Sequence, residues 1–319
     1  PMNDKIIELK NVKKYFHLSR HRVLKAVDTI NIDVYSGETF GLVGESGCGK
    51  TTLGRTIKGI YTPTAGQVIF EGKDTAHMNK KEKKTYMRNM QMIFQDPYSS
   101  LNPRMTVKEL ISEGLEIHKL GAKAERERKV FEILEFVGLN PEYVTRFAHE
   151  FSGGQRQRLA IARALALEPK FIVCDEPISA LDVSIQGQIV NLMKDLQKKF
   201  GLTYLFIAHD LSMVKYISDR VGVMYLGRLV ELADKKELFG NPQHPYTQAL
   251  LSCIPIPNPR IERQRKEIPI EGEIPSPLEK ITGCSFKTRC PYAVAVCDEM
   301  EYKLVDTGGG HFVMCTKYF

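Results

Sequence analysis

Residues 40–57 read FGLVGESGCGKTTLGRTI, and the spacing inside them decides the architecture. Gly44 to Thr51 follow G-x-x-x-x-G-K-T, with an apolar strand pattern leading in and a helical pattern leading out. That context is the one a phosphate-binding loop requires. Gly44, Gly47 and Gly49 let backbone N–H groups wrap an anion without Cβ clashes, and the start of the next helix adds a partial positive charge. Ser46 completes the loop with Cys48, a small residue the turn tolerates. Lys50 is expected to reach the β- and γ-phosphates of a nucleotide. Thr51 should place its hydroxyl on Mg²⁺, and Thr52 should lie nearer the α-phosphate. The plainer alternative, a glycine-rich turn with a surface lysine, does not require the strand and helix on either side.

A carboxylate pair should follow on a neighbouring strand, and FIVCDEP, residues 171–177, supplies it. Four apolar residues end in Asp175, suited to the Mg²⁺ shell, and Glu176, suited to polarise a water for in-line attack. Read alone, this would be a strand running into a solvated acidic turn. LTYLFIAHD, residues 202–210, forms a second such strand, and IQGQIVNLMKDLQKKFG between them reads as a helix stopping at Gly201. Two apolar strands joined by a crossover helix predict parallel pairing and an α/β core. The N-terminal part is β-rich, in IIELKNV, TINIDVY and QVIFEGKD, and residues 105–137 turn helical. RVGVMYLGRLVEL, from residue 220, reads as a small antiparallel hairpin, and residues 254–280 as a Pro-rich, charged linker.

No apolar run approaches the roughly 20 residues that span a bilayer, so membrane association is expected to be peripheral. PMNDKIIELK lacks the apolar core of a secretory signal. The net charge of +7 is mild, and much of it sits in NKKEKKTYMR and NPRIERQRK, which read as solvated loops rather than a nucleic-acid groove. Seven cysteines, an odd number, argue against a disulfide framework and leave the terminal four as a metal or cluster set.

FSGGQRQRLAIARAL, residues 151–165, narrows the class. Ser152 and Gln155 fit a capping box opening an amphipathic helix. Gly153 and Gly154 are poor helix formers in its first turn, and a cap needs neither. Close approach by something anionic at the helix tip would explain them. The segment resembles the signature of the ATP-binding cassette (ABC) family, L-S-G-G-Q, with Phe151 in the leucine position. Gln95 in MIFQDP, Ser179–Asp182 in SALD and His209 in FIAHD resemble the family's other motifs, in order, and the resemblance runs from residue 6 to about 250. It implies an α/β, RecA-like P-loop NTPase core with an antiparallel β subdomain and an α-helical subdomain at about 97–165, together spanning 1–255. It implies two cassettes facing head to tail, each ATP lying between one chain's phosphate loop and the other chain's Ser152, Gly153, Gly154 and Gln155. In that scheme Glu176 polarises water, His209 senses the γ-phosphate, Gln95 links Mg²⁺ to the helical subdomain and Asp182 couples the facing sites. By analogy an aromatic stacks on adenine, with Phe16 the first choice and Tyr15 beside it.

QDPYSSLNPRMTV, NPQHPYTQALLS and the terminal cysteines resemble the ATPase subunits of oligopeptide/dipeptide importers, the F-type of the D/F pair in particular. This closer resemblance implies an ATP-hydrolysing subunit on the cytoplasmic face of the membrane. Its partners would be a D-type ATPase subunit or a second copy, two transmembrane permease subunits and an extracytoplasmic peptide-binding protein, with no nucleic acid. Residues 98–104 would touch the permeases. Residues 256–319 would form a Cys-rich C-terminal extension. Cys284, Cys290, Cys297 and Cys315 lack the C-x₂-C spacing of common zinc sites. The related importer ATPases carry a 4Fe–4S cluster in this region, which these four would hold as a structural staple, with zinc, His311 substituting for one thiolate, as the runner-up and free buried thiols as the plainest third reading. A soluble cassette acting on nucleic acid or ribosomes, a non-hydrolysing regulatory cassette, and an importer of another solute such as nickel are the competing readings.

Overall fold

Strands apolar along their whole length need cover on both faces, and those leading to the expected carboxylates are of this kind. The structure, a computed structural model, describes residues 4–19, 22–254, 270, 272–279 and 281–318. The chain divides into two compact units. One comprises residues 70–207 with 34–38 and the described residues before 7; the other comprises 7–33, 39–69 and the described residues from 208 on.

In the first unit, strands β6 (Met90–Ile93), β7 (Phe171–Asp175) and β8 (Thr203–Ile207) run parallel, with Met90 opposite Phe171 and Asp175 opposite Ile207. Every residue of β7 and β8 is buried. The crossover between them is helix α7 (Val183–Phe200), which stops at Gly201 in the left-handed region, φ 64°, its N–H bonded to the Gln197 carbonyl. Strand, helix and strand thus follow the sequence pattern. β6 was not anticipated, because four residues carry too little periodicity to announce a strand. The short strand β5 (Lys73–Asp74) belongs to this unit as well.

The helices of this unit include α2 (Lys80–Asn89), α3 (Pro97–Ser100), α4 (Val107–Ile117), α5 (Lys123–Phe136) and α6 (Gly153–Leu165). α4 opens on a Thr106–Glu109 capping box and buries Val107, Leu110, Ile111 and Leu115, packing against α5 and α6. α2 corrects the expectation of a solvated loop at NKKEKKTYMR. Asn79 Oδ1 accepts from the N–H groups of Lys81 and Glu82, and Glu82 Oε2 accepts from the Asn79 N–H. The charges are solvated as expected, with only Tyr86 buried, but they ride on a capped helix.

In the second unit, β1 (Lys5–Ser19) lies between β2 (Arg22–Tyr35) and β4 (Ala65–Phe70). β3 (Thr39–Val43), wholly buried, feeds helix α1 (Lys50–Ile57) and pairs in parallel with β9 (Arg220–Tyr225). β9 and β10 (Arg228–Asp234) form the expected hairpin. Its two-residue turn, Leu226 at φ 44° and Gly227 at φ 79°, has the positive angles that match strand twist. Helix α9 (Lys235–Gly240) follows directly, and α10 (Pro245–Ser252) precedes the Pro-rich stretch, most of which lies outside the described residues.

The C-terminal segment completes this unit. Strand β12 (Phe312–Val313) adds antiparallel to β10, Val313 opposite Glu231, and β11 (Val305–Asp306) pairs beyond it. The Tyr302 hydroxyl donates to the Leu229 carbonyl and accepts from its N–H, serving the backbone where β10 bulges. Phe286 is fully buried, its ring centroid 5.3 Å from those of Tyr225 and Tyr246. The tail, expected to need a staple, is held among the described residues by strand pairing and aromatic packing.

A buried polar cluster fixes the junction. Glu231 accepts from the N–H groups of Gln243 and His244, at 2.7 and 2.9 Å, and its Oε1 lies 2.7 Å from His311 Nε2. His244 Nδ1 accepts from the Tyr246 N–H and caps α10. Burial pushes His244 down from 6.5 to about 4, against the opposing pull of Glu231 and a hydrogen bond to the Met314 backbone. In the unfolded chain this imidazole takes up a proton below about 6.5 that the folded chain refuses until about 4. Its contribution is thus intact above 6.5 and is lost as the pH falls towards 4, by on the order of 3 kcal/mol. Urea unfolding from pH 7 to 5 should show falling stability in the unaltered chain and a flatter profile in His244→Asn, which keeps a capping oxygen.

Candidate functional site

The phosphate loop is shaped from behind by backbone. A Cβ at Gly44 would stand 2.1 Å from the Met224 carbonyl oxygen, and one at Gly49 would stand 2.0 Å from that of Ala26. Both positions also have positive φ, so only glycine fits without moving the strands behind. The Gly227 N–H donates to the Cys48 carbonyl, tying the hairpin turn to the loop. Ser46 and Gly47 are exposed on the open side, while Thr51 and Thr52 are half-buried in the first turn of α1.

Lys50 is buried and folds back over its own loop, donating to the carbonyls of Gly44 at 2.7 Å and Glu45 at 3.0 Å. Burial pushes the Cys48 thiol up, against the pull of Lys50, which leaves it a neutral packing residue rather than a nucleophile. His209 is exposed in the stretch after β8. It follows Ala208, whose N–H bonds the Leu42 carbonyl of β3, and precedes Asp210, which caps α8 (Leu211–Ile217). Tyr15 and Phe16, adjacent on β1, are differently engaged. The Tyr15 hydroxyl donates to Asp28 Oδ1 at 2.5 Å, and Asp28 in turn is paired with Arg228. The Phe16 ring meets Tyr61 edge-on, 5.4 Å between centroids.

In the other unit, Asp175 ends β7 almost wholly buried and Glu176 turns out of the strand. Glu176 has φ 48°, a left-handed conformation that costs a non-glycine residue of order 1 kcal/mol and is kept only where neighbours enforce it. The Glu176 N–H bonds the Ile207 carbonyl, and Ser179 donates to the Glu176 carbonyl from both N–H and hydroxyl. Gln95 Nε2 donates to Glu176 Oε2 at 2.7 Å. The structure therefore brings together Gln95 and Glu176, 81 residues apart, and the strained backbone had no signal in the sequence.

Ser152 caps α6, its Oγ accepting from the Gln155 N–H, while Gln155 Oε1 accepts from the Ser152 N–H. The capping box is as the sequence spelled it. The two glycines behind it separate. A Cβ on Gly154 would meet Ile185 Cγ2 of α7 at 2.6 Å, whereas one on Gly153 would lie 3.5 Å from Leu181 Cδ2, an ordinary contact. Packing against Ile185 is thus a reason for a glycine at 154 that stands beside the expected anionic partner. Gly153 is exposed and unconstrained by its neighbours. Asp182, also exposed, starts α7 without capping it through its side chain.

All four terminal cysteines line one cavity of about 780 Å³, together with His244, Phe286 and Tyr292. The Cys284 N–H bonds the Cys297 carbonyl, and Cys297 Sγ lies 3.5 Å from Thr316 Oγ1. Burial pushes the Cys284 thiol up to about 11 and raises Cys290 and Cys315 as well. Among the described residues no three His, Cys, Asp or Glu side chains close on a point as one metal ion requires. His311 is committed to Glu231 rather than to this cavity, so the arrangement does not fit the zinc alternative.

Sequence reasoning missed the residues beside the phosphate loop. The Glu45 carboxylate is gripped by Arg289 through both terminal nitrogens, at 2.9 and 3.2 Å, and the Glu45 N–H donates to the Tyr246 hydroxyl at 2.8 Å. Glu45 sits in a variable position of the motif and Arg289 stands 244 residues away, so no spacing rule links them.

The chain is similar to known proteins over nearly its whole length. The ABC transporter family model matches residues 27–179, and that of the oligopeptide/dipeptide transporter C-terminal region matches 230–297. The oligopeptide transport ATP-binding protein OppF of Bacillus subtilis is 57% identical, covering 99% of this chain and 98% of its own length. AppF of the same organism, also an oligopeptide transport ATP-binding protein, is 51% identical over 98% of this chain and 97% of its own. Among solved structures, the ATP-binding cassette MJ0796, a dimer bound to ADP and phosphate, superposes with TM-score 0.65 at 29% identity, covering 72% of this chain and 98% of its own. CbiO1 of Clostridium perfringens, part of the transporter complex cbiONQ, gives 0.68 at 28% identity, covering 82% and 98%.

The two glycines at the tip of α6 can be told apart by stability. Gly154→Ala should lower the thermal midpoint because Ile185 must move, and Ile185→Ala in the same chain should recover part of the loss. Gly153→Ala should leave the midpoint unchanged or raise it, by helix propensity.

Proposed function

The chain belongs to the ABC transporter ATP-binding family, and we propose that it hydrolyses ATP to energise uptake of dipeptides and oligopeptides through a membrane importer. The observation carrying the hydrolytic part is the Glu176 carboxylate, held by Gln95 at 2.7 Å on a strained backbone directly after buried Asp175. The peptide part draws on the near full-length similarity to oligopeptide transport ATP-binding proteins and on the C-terminal match.

Lys50, now donating to the Gly44 and Glu45 carbonyls, turns to the β- and γ-phosphates when nucleotide enters. Backbone N–H groups of Ser46 to Thr51 cradle the phosphates, and Phe16 serves as the adenine platform, since the Tyr15 hydroxyl is tied to Asp28. Glu176 accepts a proton from the attacking water, Gln95 orients that carboxylate, and His209 contacts the γ-phosphate from the end of β8. The hydroxyl of Thr51, the carboxylate of Asp175 and the amide oxygen of Gln95 are hard donors that would hold Mg²⁺, which neutralises phosphate charge. Ser152 to Gln155 offer the N-terminus of a thirteen-residue helix to the nucleotide of a facing cassette, either a D-type subunit or a second copy, with Asp182 at the shared edge. Residues 98–104, where Tyr98 is exposed above buried Pro97, meet the permease subunits, and a separate extracytoplasmic protein collects the peptide. No described helix is long and apolar enough to cross a membrane, consistent with peripheral attachment at the cytoplasmic face.

Cys284, Cys290, Cys297 and Cys315 are assigned to a 4Fe–4S cluster in the C-terminal extension, 256–319. The supporting fact is one cavity of about 780 Å³ shared by all four; among the described residues no group of three His, Cys, Asp or Glu is set to hold a metal ion as it stands. A cubane spreads its thiolates farther apart than a single ion does, and binding iron would hold as thiolates Cys284, Cys290 and Cys315, which burial otherwise keeps protonated.

Two experiments check these assignments. Glu176→Gln should lower steady-state ATP turnover roughly 10³-fold and accumulate an ATP-bound dimer on gel filtration; near-normal turnover would remove Glu176 from the chemistry. Anaerobically purified protein should be brown, with broad visible absorption and about four iron atoms per chain, whereas a colourless protein with stoichiometric zinc would reject the cluster.

A further inference from the structure

We infer that Arg289, in the cysteine segment, is a positioning residue of the ATP site: it draws the Glu45 carboxylate away from the phosphates and fixes the entry of the loop. The inference rests on the phosphate loop's reading as an ATP site and concerns how this chain's own tail tunes it.

Glu45 directly follows Gly44, where the chain leaves β3 and begins to wrap the phosphates. All of its polar groups are committed. Its N–H donates to the Tyr246 hydroxyl at 2.8 Å, and its carbonyl accepts from Lys50 Nζ at 3.0 Å and from the Cys48 N–H at 3.3 Å. Its carboxylate accepts from Arg289 Nη1 at 2.9 Å and Nη2 at 3.2 Å. Such a two-pronged pairing fixes direction as well as charge. The pair is sheltered, the Arg289 side chain being only 7% exposed and that of Glu45 21%. A carboxylate left unpaired beside a bound triphosphate would repel it, and poor solvation would sharpen the repulsion.

The cysteine segment determines where the guanidinium sits. Arg289 ends the short turn Lys287–Arg289, between Cys284 and Cys290, and its N–H bonds the Phe286 carbonyl. Phe286 is wedged against Tyr225 and Tyr246, the second of which holds the Glu45 N–H. Arg289 Nη1 also lies 3.4 Å from the Tyr225 hydroxyl. A second stretch of the tail borders the loop: Ile274 and Pro277 line a cavity of about 130 Å³ with Glu45, Ser46, Gly47 and Cys48. The order of the cysteine segment therefore reaches Glu45, directly after the first glycine of the phosphate loop, and its carboxylate through the Arg289 side chain. This linkage ends at the entry of the loop, so it bears on nucleotide affinity rather than on the chemical step.

The test is a double-mutant cycle on the full chain, reading the Kd of a trinitrophenyl ATP analogue by fluorescence and KM and kcat for ATP. Arg289→Ala should weaken binding about tenfold or more, with KM rising by more than kcat falls. In a chain already carrying Glu45→Gln, Arg289→Ala should cost less than about twofold, because no carboxylate remains to be held. Arg289→Lys, which keeps the charge but loses the fork, should fall between, and it carries the test if Arg289→Ala does not fold. Equal losses with and without the Glu45→Gln change would mean that Arg289 only supports the tail and would overturn the inference. Binding unaffected by Arg289→Ala or Arg289→Lys would overturn it too. Failure of the unaltered chain to bind the analogue would instead sink the ATP-site reading and this inference with it.

Discussion

The close approach of two carbonyl oxygens to two glycines, Met224 to Gly44 and Ala26 to Gly49, is the constraint on which the site is built. With those contacts the loop has no freedom to collapse onto the strands behind it, and its exposed residues, Ser46 and Gly47, are set facing outwards. The same constraint places Lys50 at the base of α1, where its ammonium can be satisfied by loop carbonyls without a nucleotide. A buried lysine without acceptors would be costly. Here the loop supplies the acceptors and presents the charge near the phosphates' expected path.

Local grammar explains what was legible in the sequence. The G-x-x-x-x-G-K-T spacing, the S-x-x-Q cap at Ser152 and the stop at Gly201 each involve residues within one or two turns of chain, so each can be spelled without knowing the fold. The parallel pairing of β7 and β8 was equally readable, because a wholly apolar strand followed by a long crossover helix admits few arrangements. The misses have matching causes. α2 is hidden because its dense charge masks the cap at Asn79, and β6 because its four residues show no period. Glu45 and Arg289 escaped because long-range charge pairing leaves no mark on spacing.

Gly153 and Gly154 show how a motif can merge two requirements. One glycine relieves contact with Ile185 inside the chain; the other faces outwards with nothing inside the chain to require it. Treating the pair as one feature assigns both to a ligand. Geometry gives Gly154 a packing role as well, whereas Gly153 is left to the functional reading of the exposed helix tip. Glu176 differs again: the bonds from Gln95, Ser179 and to Ile207 hold its backbone in a left-handed conformation that an ordinary strand end would relax.

The tail is too short to form a core of its own, and the manner of its attachment reflects that. Most of its anchoring is apolar and non-directional, Phe286 above all, and such contacts alone would tolerate sliding. Glu231 removes that tolerance. A fully buried carboxylate is stable only with its donors in place, and it takes two from the chain before α10 and a third from His311 in the tail. Moving β12 by one residue along β10 would carry His311 away and leave the carboxylate short of a partner, so register and charge satisfaction are the same condition. That condition fixes where Met314 and Cys315 fall relative to the cavity wall. The polar cluster at Glu231 thus sets the geometry of the cysteine cavity, whose wall it shares through Gln243 and His244.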